Sequence, residues 1–129
     1  MGLATFKGGI HPYEGKELSE NKPVLELLPK GELVFPMAQH IGAPAKPLVK
    51  KGDRVLAGQM IGEAGGFISA NVLCSVSGTV KAVEPRLMVN GQMVTSVIVE
   101  NDGLYETIPH FGEERDYTKL SKEEIRGIV

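Results

Sequence analysis

The chain lacks the features that mark several classes of protein. Its 129 residues contain one cysteine, Cys74, so no disulfide can form within the chain, which suits a reducing compartment. A single thiol also falls short of the cysteines and histidines that hold an iron–sulfur cluster. No apolar run approaches the roughly 18 residues that cross a bilayer, and the N-terminal sequence has no apolar signal-peptide core. We therefore expect no direct membrane span.

The charges are balanced, and aromatic residues are few. Fourteen basic and sixteen acidic side chains nearly cancel, and the sequence contains no block of five or more like charges. Proteins that bind nucleic acids carry a basic patch or stripe, so we predict no nucleic-acid partner. Aromatic residues make up 5% and apolar residues 42% of the chain, which is enough for the modest core of one domain.

Glycine and proline, by contrast, are abundant. Sixteen glycines and eight prolines are spread along the whole chain. They interrupt helical periodicity every few residues and favour short strands joined by turns. The sequence therefore predicts a mainly β fold.

Residues 1–38 are predicted to form an irregular N-terminal arm followed by short strands. Glycines and prolines recur among charged residues at the start of this region. The sequences VLELL (24–28) and ELVFPM (32–37) are then typical of two short strands around a turn. Pro36 is expected to end the second strand or to place it at the edge of a sheet.

Residues 39–103 are predicted to form the core, and they contain a short internal repeat. Residues 47–61 align with residues 80–94, which superimposes the sequence GQM at 58–60 on GQM at 91–93. In each copy, β-type residues lead to a glycine-bearing turn, and the Asn-Gly pair of the second copy is a strong hairpin signal. The repeat predicts two β-units related by quasi two-fold symmetry.

The remaining core residues carry further strand and turn signals. Apolar residues at positions 72, 74 and 76 alternate as the buried residues of a strand do. The pair Ser77-Gly78 is predicted to form a turn, and VTSVIVEN (94–101) is predicted to form a strand. Asp102-Gly103 is then expected to close the core.

Residues 104–129 are predicted to be a linker and the start of a helix. Ser121 and Glu124 match a capping box, and Leu120 with Ile125 matches the hydrophobic staple that accompanies it. A helix is therefore expected to start near Lys122. The chain ends about two turns later, so we expect it to be a segment of a longer polypeptide.

Several motifs in a fixed order resemble one protein family. GDRVLAGQ (52–59) and SGTV (77–80) resemble the biotinyl/lipoyl carrier superfamily, whose fold is the barrel-sandwich hybrid. Together with TFKGGIHP (5–12) and QHIGAP (39–44), they resemble the N-terminal domain of the RnfC subunit of the Rnf electron-transport complex. This resemblance extends from Thr5 to the end of the chain.

The resemblance implies a non-catalytic domain of an electron-transfer subunit. The complex implied is membrane-bound and couples NADH–ferredoxin electron transfer to ion translocation. The full-length protein would continue into a flavin- and NADH-binding domain and iron–sulfur segments, with FMN, NADH and 4Fe-4S clusters, whereas no cofactor is expected within residues 1–129. The partners implied are the other subunits and the C-terminal domains. The location implied is peripheral, on the cytoplasmic side of the bacterial cell membrane.

Two other functions stay open at this point. A biotinyl/lipoyl carrier needs an exposed lysine at a hairpin tip, and no lysine occurs between Arg54 and Thr79. Lys51 precedes the Gly-Asp turn and Lys81 lies in a predicted strand, so a carrier would have to use one of these atypical lysines. The third function is that of an adaptor domain in another enzyme assembly, where similar folds serve as spacers.

No residue is predicted to be catalytic, cofactor-binding or metal-binding. Cys74 is expected in the core, because free cysteines are commonly buried and the sequence offers it no neighbouring base. The histidines lack the spacing of metal ligands, and the glycine pairs at 8–9 and 65–66 fit no phosphate-binding pattern. Three glutamates beside lysines are expected to form a solvated face. These histidines and glutamates are His11, His40, His110, Glu14, Glu17 and Glu20.

One segment is predicted to make contacts with other parts of a complex. The hairpin tip at residues 65–70 carries Phe67 and Ile68 between glycines and small residues. Apolar side chains on such a tip are suited to packing against another domain or subunit.

Overall fold

The structure, a computed structural model, describes Gly8 and residues 12–128. Seven strands and two short helices follow one another along these residues. The strands are β1 (Glu32–Pro36), β2 (Lys46–Pro47), β3 (Arg54–Val55), β4 (Met60–Glu63), β5 (Val72–Leu73), β6 (Gly78–Leu87) and β7 (Met93–Asn101). The helices are a 3-10 turn at Tyr117–Lys119 and α1 (Lys122–Ile128).

The strands form two antiparallel sheets. The larger sheet has the order β1-β7-β6-β3, and the smaller sheet has the order β2-β4-β5. Every strand pair is antiparallel. The mainly β architecture that glycine and proline content predicts is therefore confirmed, with a single short α-helix in the described part of the chain.

The long hairpin of β6 and β7 dominates the larger sheet. Its register runs from Gly78 opposite Asn101 to Leu87 opposite Met93, with a β-bulge between Val80 and Ala82. The connecting loop is the Asn-Gly turn that the sequence predicts, closed by a backbone hydrogen bond of 2.9 Å between Met88 and Gln92. The predicted strand at 94–101 is thus confirmed as β7.

The two copies of the sequence repeat correspond at their glycine turns. Gly58 and Gly91 both have positive φ, at 85° and 79°, which explains why glycine stands at each position. The following strands, β4 and β7, begin at the matched residues Met60 and Met93. The turns differ in what they connect, since Gly91 joins partners within one sheet and Gly58 joins β3 of the larger sheet to β4 of the smaller one.

The core is formed by residues from both sheets and from the segments between them. Full burial of a valine or isoleucine side chain stabilises the folded state by about 1.5–3 kcal/mol. Positions 72, 74 and 76 are buried and positions 73 and 75 are exposed, so the predicted alternation is confirmed. The buried cluster consists of Phe35, Met37, Ala45, Val55, Ile61, Val72, Cys74, Val76, Val80, Val97 and Val99.

The predicted strand at residues 24–28 is wrong. These residues have no strand structure, and Val24, Leu25 and Leu27 are almost fully exposed. β1 pairs with β7 and lies at the edge of its sheet, so residues 24–28 add no further strand beside it. The segment VLELL instead forms an exposed apolar surface, and no strand among the described residues pairs with it. Pro36, in contrast, ends β1 at the sheet edge as predicted.

The predicted turn at Ser77-Gly78 is also misplaced. The chain bends at residues 75–76, and Gly78 is already the first residue of β6. A Cβ atom at Gly78 would lie 2.1 Å from the carbonyl oxygen of Glu100. Glycine is therefore required here by the close approach of β7, and no turn is involved.

The C-terminal helix begins where the sequence predicts. The backbone N–H of Ser121 donates to the Glu124 carboxylate at 2.7 Å, and the N–H of Glu124 donates to Ser121 Oγ at 3.3 Å. These two hydrogen bonds form the predicted capping box, and α1 starts at Lys122. The staple between Leu120 and Ile125 stays a prediction.

Replacing Gly78 by alanine is expected to destabilise the domain by about 3 kcal/mol, because the new methyl group overlaps the backbone of β7. Urea unfolding measures this difference. The matched control is Gly127→Ala in α1, where nothing lies within 4 Å of the added Cβ and where alanine favours the helix by about 1 kcal/mol or less. Equal stabilities of the two variants would contradict the close approach.

Candidate functional site

The loop at residues 64–71, called the tip loop here, joins β4 to β5 and contains no lysine. Hydrogen bonds tie it to itself and to residues 40–44. Ser69 accepts from the N–H of Gly65 at 2.9 Å and donates to the carbonyl of Ala43 at 2.7 Å. The N–H of Ala43 donates in turn to the carbonyl of Ile68 at 2.9 Å. The tip loop is thus held at two points by the neighbouring segment.

Backbone packing leaves no room in this contact for side chains. A Cβ atom on Gly65 would lie 2.1 Å from the carbonyl oxygen of Pro44, and one on Gly42 would lie 2.1 Å from that of Ile68. Because the Gly65 N–H is bonded to Ser69, it does not point at an external anion. The glycine pair at 65–66 therefore serves close packing against Ala43 and Pro44.

His40 completes this contact in a defined tautomer. Its Nε2 accepts from the backbone N–H of Ala70 at 3.1 Å, so Nδ1 carries the proton and donates to the carbonyl of Ile41 at 3.0 Å. Both ring nitrogens are therefore engaged in hydrogen bonds within the protein. Metal binding at His40 would require one of these bonds to break.

The apolar side chains of the tip loop are accessible to solvent, although the Ile68 side chain also lies beside Gly42. Phe67 is fully exposed and Ile68 is more than half exposed, with Ile41 exposed on the adjacent segment. The sequence prediction of an exposed apolar tip is confirmed in this respect, whereas its partner stays a prediction.

The two lysines that flank the carrier motif lie outside the tip loop. Lys51 is exposed in the turn before β3. Lys81 lies within β6, where its Nζ donates to the Glu32 carboxylate at 2.5 Å. That pairing raises the pKa of Lys81, mainly through the hydrogen bond to Glu32. Neither lysine is at a hairpin tip.

Cys74 lies in the core, as predicted. Its side chain is buried, and the thiol donates to the carbonyl of Val76 at 3.1 Å. Burial raises the pKa of the Cys74 thiol above its usual value. A neutral, buried thiol is a poor nucleophile, since the thiolate is the reactive form.

The other residues considered from the sequence lie apart or outside the described residues. His110 pairs with Glu113 at 2.8 Å in a surface turn, and His11 and Gly9 are not among the residues that the structure describes. The glutamates of the N-terminal arm are exposed, and one of them, Glu14, pairs with Lys16. Within Gly8 and residues 12–128, no group of three or more histidines, cysteines and acids could hold a metal ion.

A charged cluster that sequence reasoning missed fastens the C-terminal segment to the core. Arg54 pairs with Asp102 at 2.9 Å and with Glu106 at 2.6 Å. The buried Ser77 donates to Asp102 at 2.7 Å and accepts from the N–H of Glu106 at 2.9 Å. These four residues form a unit that we call the clasp. These residues are far apart in the sequence, and the local pattern at 102–103 indicates only a turn. No local signal could therefore have predicted the clasp.

Backbone contacts continue the clasp along the C-terminal segment. The Ala57 N–H donates to the carbonyl of Glu106 at 2.8 Å, and the Ile108 N–H donates to the carbonyl of Ala57 at 3.0 Å. The ring of Phe111 covers Gly58 so closely that a Cβ there would lie 2.5 Å from it. Residues 102–111 are therefore attached to the body of the domain at several points.

An open groove of about 760 Å³ lies between residues 37–47 and the end of the β6–β7 hairpin. Its lining is polar and apolar in nearly equal parts, with Lys46 as its charged residue. Residues distant in sequence form this groove, so no local pattern could have predicted it. It contains none of the paired titratable groups that would indicate an active site.

The sequence of this domain matches a described family. Residues 4–104 match the RnfC barrel sandwich hybrid domain. The chain belongs to this family. The resemblance inferred from the motifs and the predicted barrel-sandwich fold are both confirmed for the RnfC domain.

Curated relatives of the RnfC domain come from several bacteria. The C subunit of a Na⁺-translocating ferredoxin:NAD⁺ oxidoreductase complex from Acetobacterium woodii is 54% identical over 101 residues, which is 78% of this chain and 23% of that protein. The C subunit of a proton-translocating ferredoxin:NAD⁺ oxidoreductase complex from Clostridium ljungdahlii is 38% identical over 128 residues, 98% of this chain and 28% of that protein.

A third relative also matches nearly the whole chain. The C subunit of an ion-translocating oxidoreductase complex from Vibrio cholerae is 40% identical over 132 residues, 98% of this chain and 17% of that protein. The chain thus spans between 17% and 28% of the length of these relatives. No helix in residues 12–128 has both the length and the hydropathy to cross a membrane.

Acid is expected to weaken the clasp. Hydrogen bonds from Ser77 and from the Leu104 N–H, with the nearby Arg54, lower the pKa of Asp102. A carboxyl group with a lowered folded-state pKa stabilises the fold fully above its unfolded pKa of about 3.9 and loses that effect as the pH falls through the folded-state value. Stability to urea should therefore fall below about pH 4, and Asp102→Asn should make this fall shallower.

The Asp102→Asn variant should reduce the acid dependence without abolishing it, because hydrogen bonds from Lys50 and Lys119 also lower the pKa values of Asp53 and Asp116. The control is Glu114→Gln at an exposed position. Urea midpoints measured from pH 2 to pH 7 test this expectation. Parallel curves for wild type and Asp102→Asn would show that the clasp does not respond to pH.

Proposed function

We propose that this chain is the non-catalytic, architectural N-terminal domain of the RnfC subunit of an ion-translocating ferredoxin:NAD⁺ oxidoreductase complex. The observation that carries the proposal is the tip loop, which has the exposed Phe67 and no lysine and is held by Ser69 and His40. A group fixed in this way can bear a contact but cannot swing between two sites. Membership of the RnfC family supports the assignment of the domain to this complex.

The redox chemistry is assigned to the rest of the polypeptide. The relatives are about four to six times as long as the matched part, and their names describe oxidoreductase complexes. We propose that the full-length protein continues into a domain that binds FMN and NADH and into segments that hold 4Fe-4S clusters. The buried thiol of Cys74 and the engaged nitrogens of His40 support a role of residues 12–128 outside the chemistry.

The architectural role follows from the requirements of electron transfer. Transfer between cofactors depends on fixed distances, and a domain with two packed sheets and a clasped C-terminal segment is a rigid support. We propose that the domain acts on the cytoplasmic side of the bacterial cell membrane as a peripheral part of the complex. The other subunits and the later domains of the same chain are its partners. The ion is left open, since two relatives are named for different ions.

Mass mapping of the natively expressed full-length protein tests the carrier alternative. Peptides containing Lys51 and Lys81 are expected at their unmodified masses. Lys81 is engaged by Glu32, and Lys51 lies outside the tip loop. A biotinyl or lipoyl increment on either lysine would assign the domain to the carriers.

The gene downstream of residue 129 tests the adaptor alternative, which predicts no flavin-binding segment and no cysteine clusters there.

Substitution of Phe67 tests the architectural contact. Phe67→Ala is expected to weaken association of the RnfC subunit with the complex by roughly tenfold, the scale for loss of a buried interface aromatic. The unfolding temperature should not change, since the side chain is fully exposed in the domain. Tyr117→Ala, which removes another exposed aromatic side chain outside the tip loop, is the matched control. Co-purification with the complex measures the effect, and equal recovery of both variants would remove the tip loop from the interface.

A further inference from the structure

The N-terminal arm, defined here as residues 12–28, exposes an unusual concentration of apolar side chains. Eight large apolar side chains in the described residues are at least 80% exposed, and five of them lie in this arm. Single exposed apolar residues are ordinary, but five within one short segment mark a contact surface. The five are Tyr13, Leu18, Val24, Leu25 and Leu27.

The arm makes its polar contacts only with itself as far as the described residues show. Backbone hydrogen bonds join Lys16 to Ser19 and Glu20, and Ser19 to Lys22, and an ion pair joins Lys16 to Glu14. No hydrogen bond or ion pair among the described residues connects the arm to either sheet. The core of the domain therefore does not supply the surface that covers these side chains.

The base of the arm, in contrast, is fixed. The carbonyl oxygen of Pro29 accepts from Asn101 Nδ2 and from the Tyr105 hydroxyl, each at 2.6 Å. The N–H of Asn101 donates to the carbonyl of Gly31 at 3.1 Å. Three hydrogen bonds thus hold residues 29–31 against the segment by which the chain leaves β7.

This anchoring places the arm beside the start of the C-terminal continuation. Asn101 ends β7, and the family domain itself ends at residue 104. The domain match includes the arm, although none of its residues belongs to the buried core. A segment anchored at the exit of its own domain is well placed to contact the next part of the same chain.

Composition argues against a membrane surface as the occupant. The arm carries four glutamates and two lysines among its apolar residues. Segments that lie on anionic membranes are instead rich in lysine and arginine on their polar face. A protein surface with an apolar groove and polar margins matches the arm better.

We propose that the arm docks through Val24, Leu25 and Leu27 onto the part of the same polypeptide that lies C-terminal to this domain. This inference rests on the proposed function, since it requires a full-length subunit with later domains. The arm then acts as a second connection between the two parts, parallel to the covalent linker. The relative position of the domains is fixed at two points instead of one.

Photo-cross-linking in the isolated full-length subunit tests the docking. A benzoylphenylalanine probe at Leu27 is expected to link to residues beyond 129 of its own chain. Mixing isotopically light and heavy copies separates links within a chain from links between copies. Links to a second copy, to residues 12–128 alone, or only to other subunits in the assembled complex would each overturn the proposal. The control probe at Val89, which is equally exposed on the β6–β7 loop, should not link to the same region.

Proteolysis gives a second measurement on the same full-length subunit. The glutamate-specific protease Glu-C should cleave after Glu20 at least about tenfold faster in the Leu25→Ser/Leu27→Ser variant than in wild type, because undocking exposes the arm. Val89→Ser should leave the rate unchanged. Equal rates in wild type and the double variant would overturn the docking. Neither result alters the mass mapping or the Phe67 measurement, so the docking can fail while the architectural function stands.

Discussion

The fold depends on the close antiparallel approach of β6 and β7. Gly78 lies so near the carbonyl of Glu100 that a side chain has no space, and from this point the two strands pair to the Asn-Gly loop. β7 contributes Val97 and Val99 to the core and accepts β1 on its other side. The buried hydroxyl of Ser77, one residue before β6, then organises Asp102 just after β7. Sheet, core and clasp therefore all depend on one contact between two chain segments.

Much of this architecture could be predicted from local sequence signals. The Asn-Gly turn, the alternation at 72–76 and the capping box at Ser121 and Glu124 each act over a few residues, and each appears as predicted. The motifs that identify the family are equally local. The prediction at residues 24–28 failed because composition describes a side chain's preference, whereas a strand also needs a partner. The prediction at Gly78 failed because a glycine in a turn and a glycine at a close approach look alike in sequence.

The sequence could predict the composition of the tip loop, but not the contacts that hold the loop in place. The sequence indicates an exposed Phe67 and no lysine, but it gives no indication that His40 and Ala43 hold the tip loop. Those contacts join residues about thirty positions apart, and their partners are backbone groups, which carry no sequence signature. The clasp could not be predicted for a similar reason, because Arg54 meets Asp102 and Glu106 only after the sheets assemble.

The position of β1 has a consequence for a protein that must coexist with many copies of itself. β1 is an outer strand of only five residues, and its last residue, Pro36, has no N–H to offer. At its other end Glu32 places a carboxylate, which pairs with Lys81 of β6 across β7. Short length, proline and charge are the means by which proteins prevent their sheets from joining edge to edge into aggregates. The domain can therefore remain a discrete unit even at the high local concentrations of a crowded assembly.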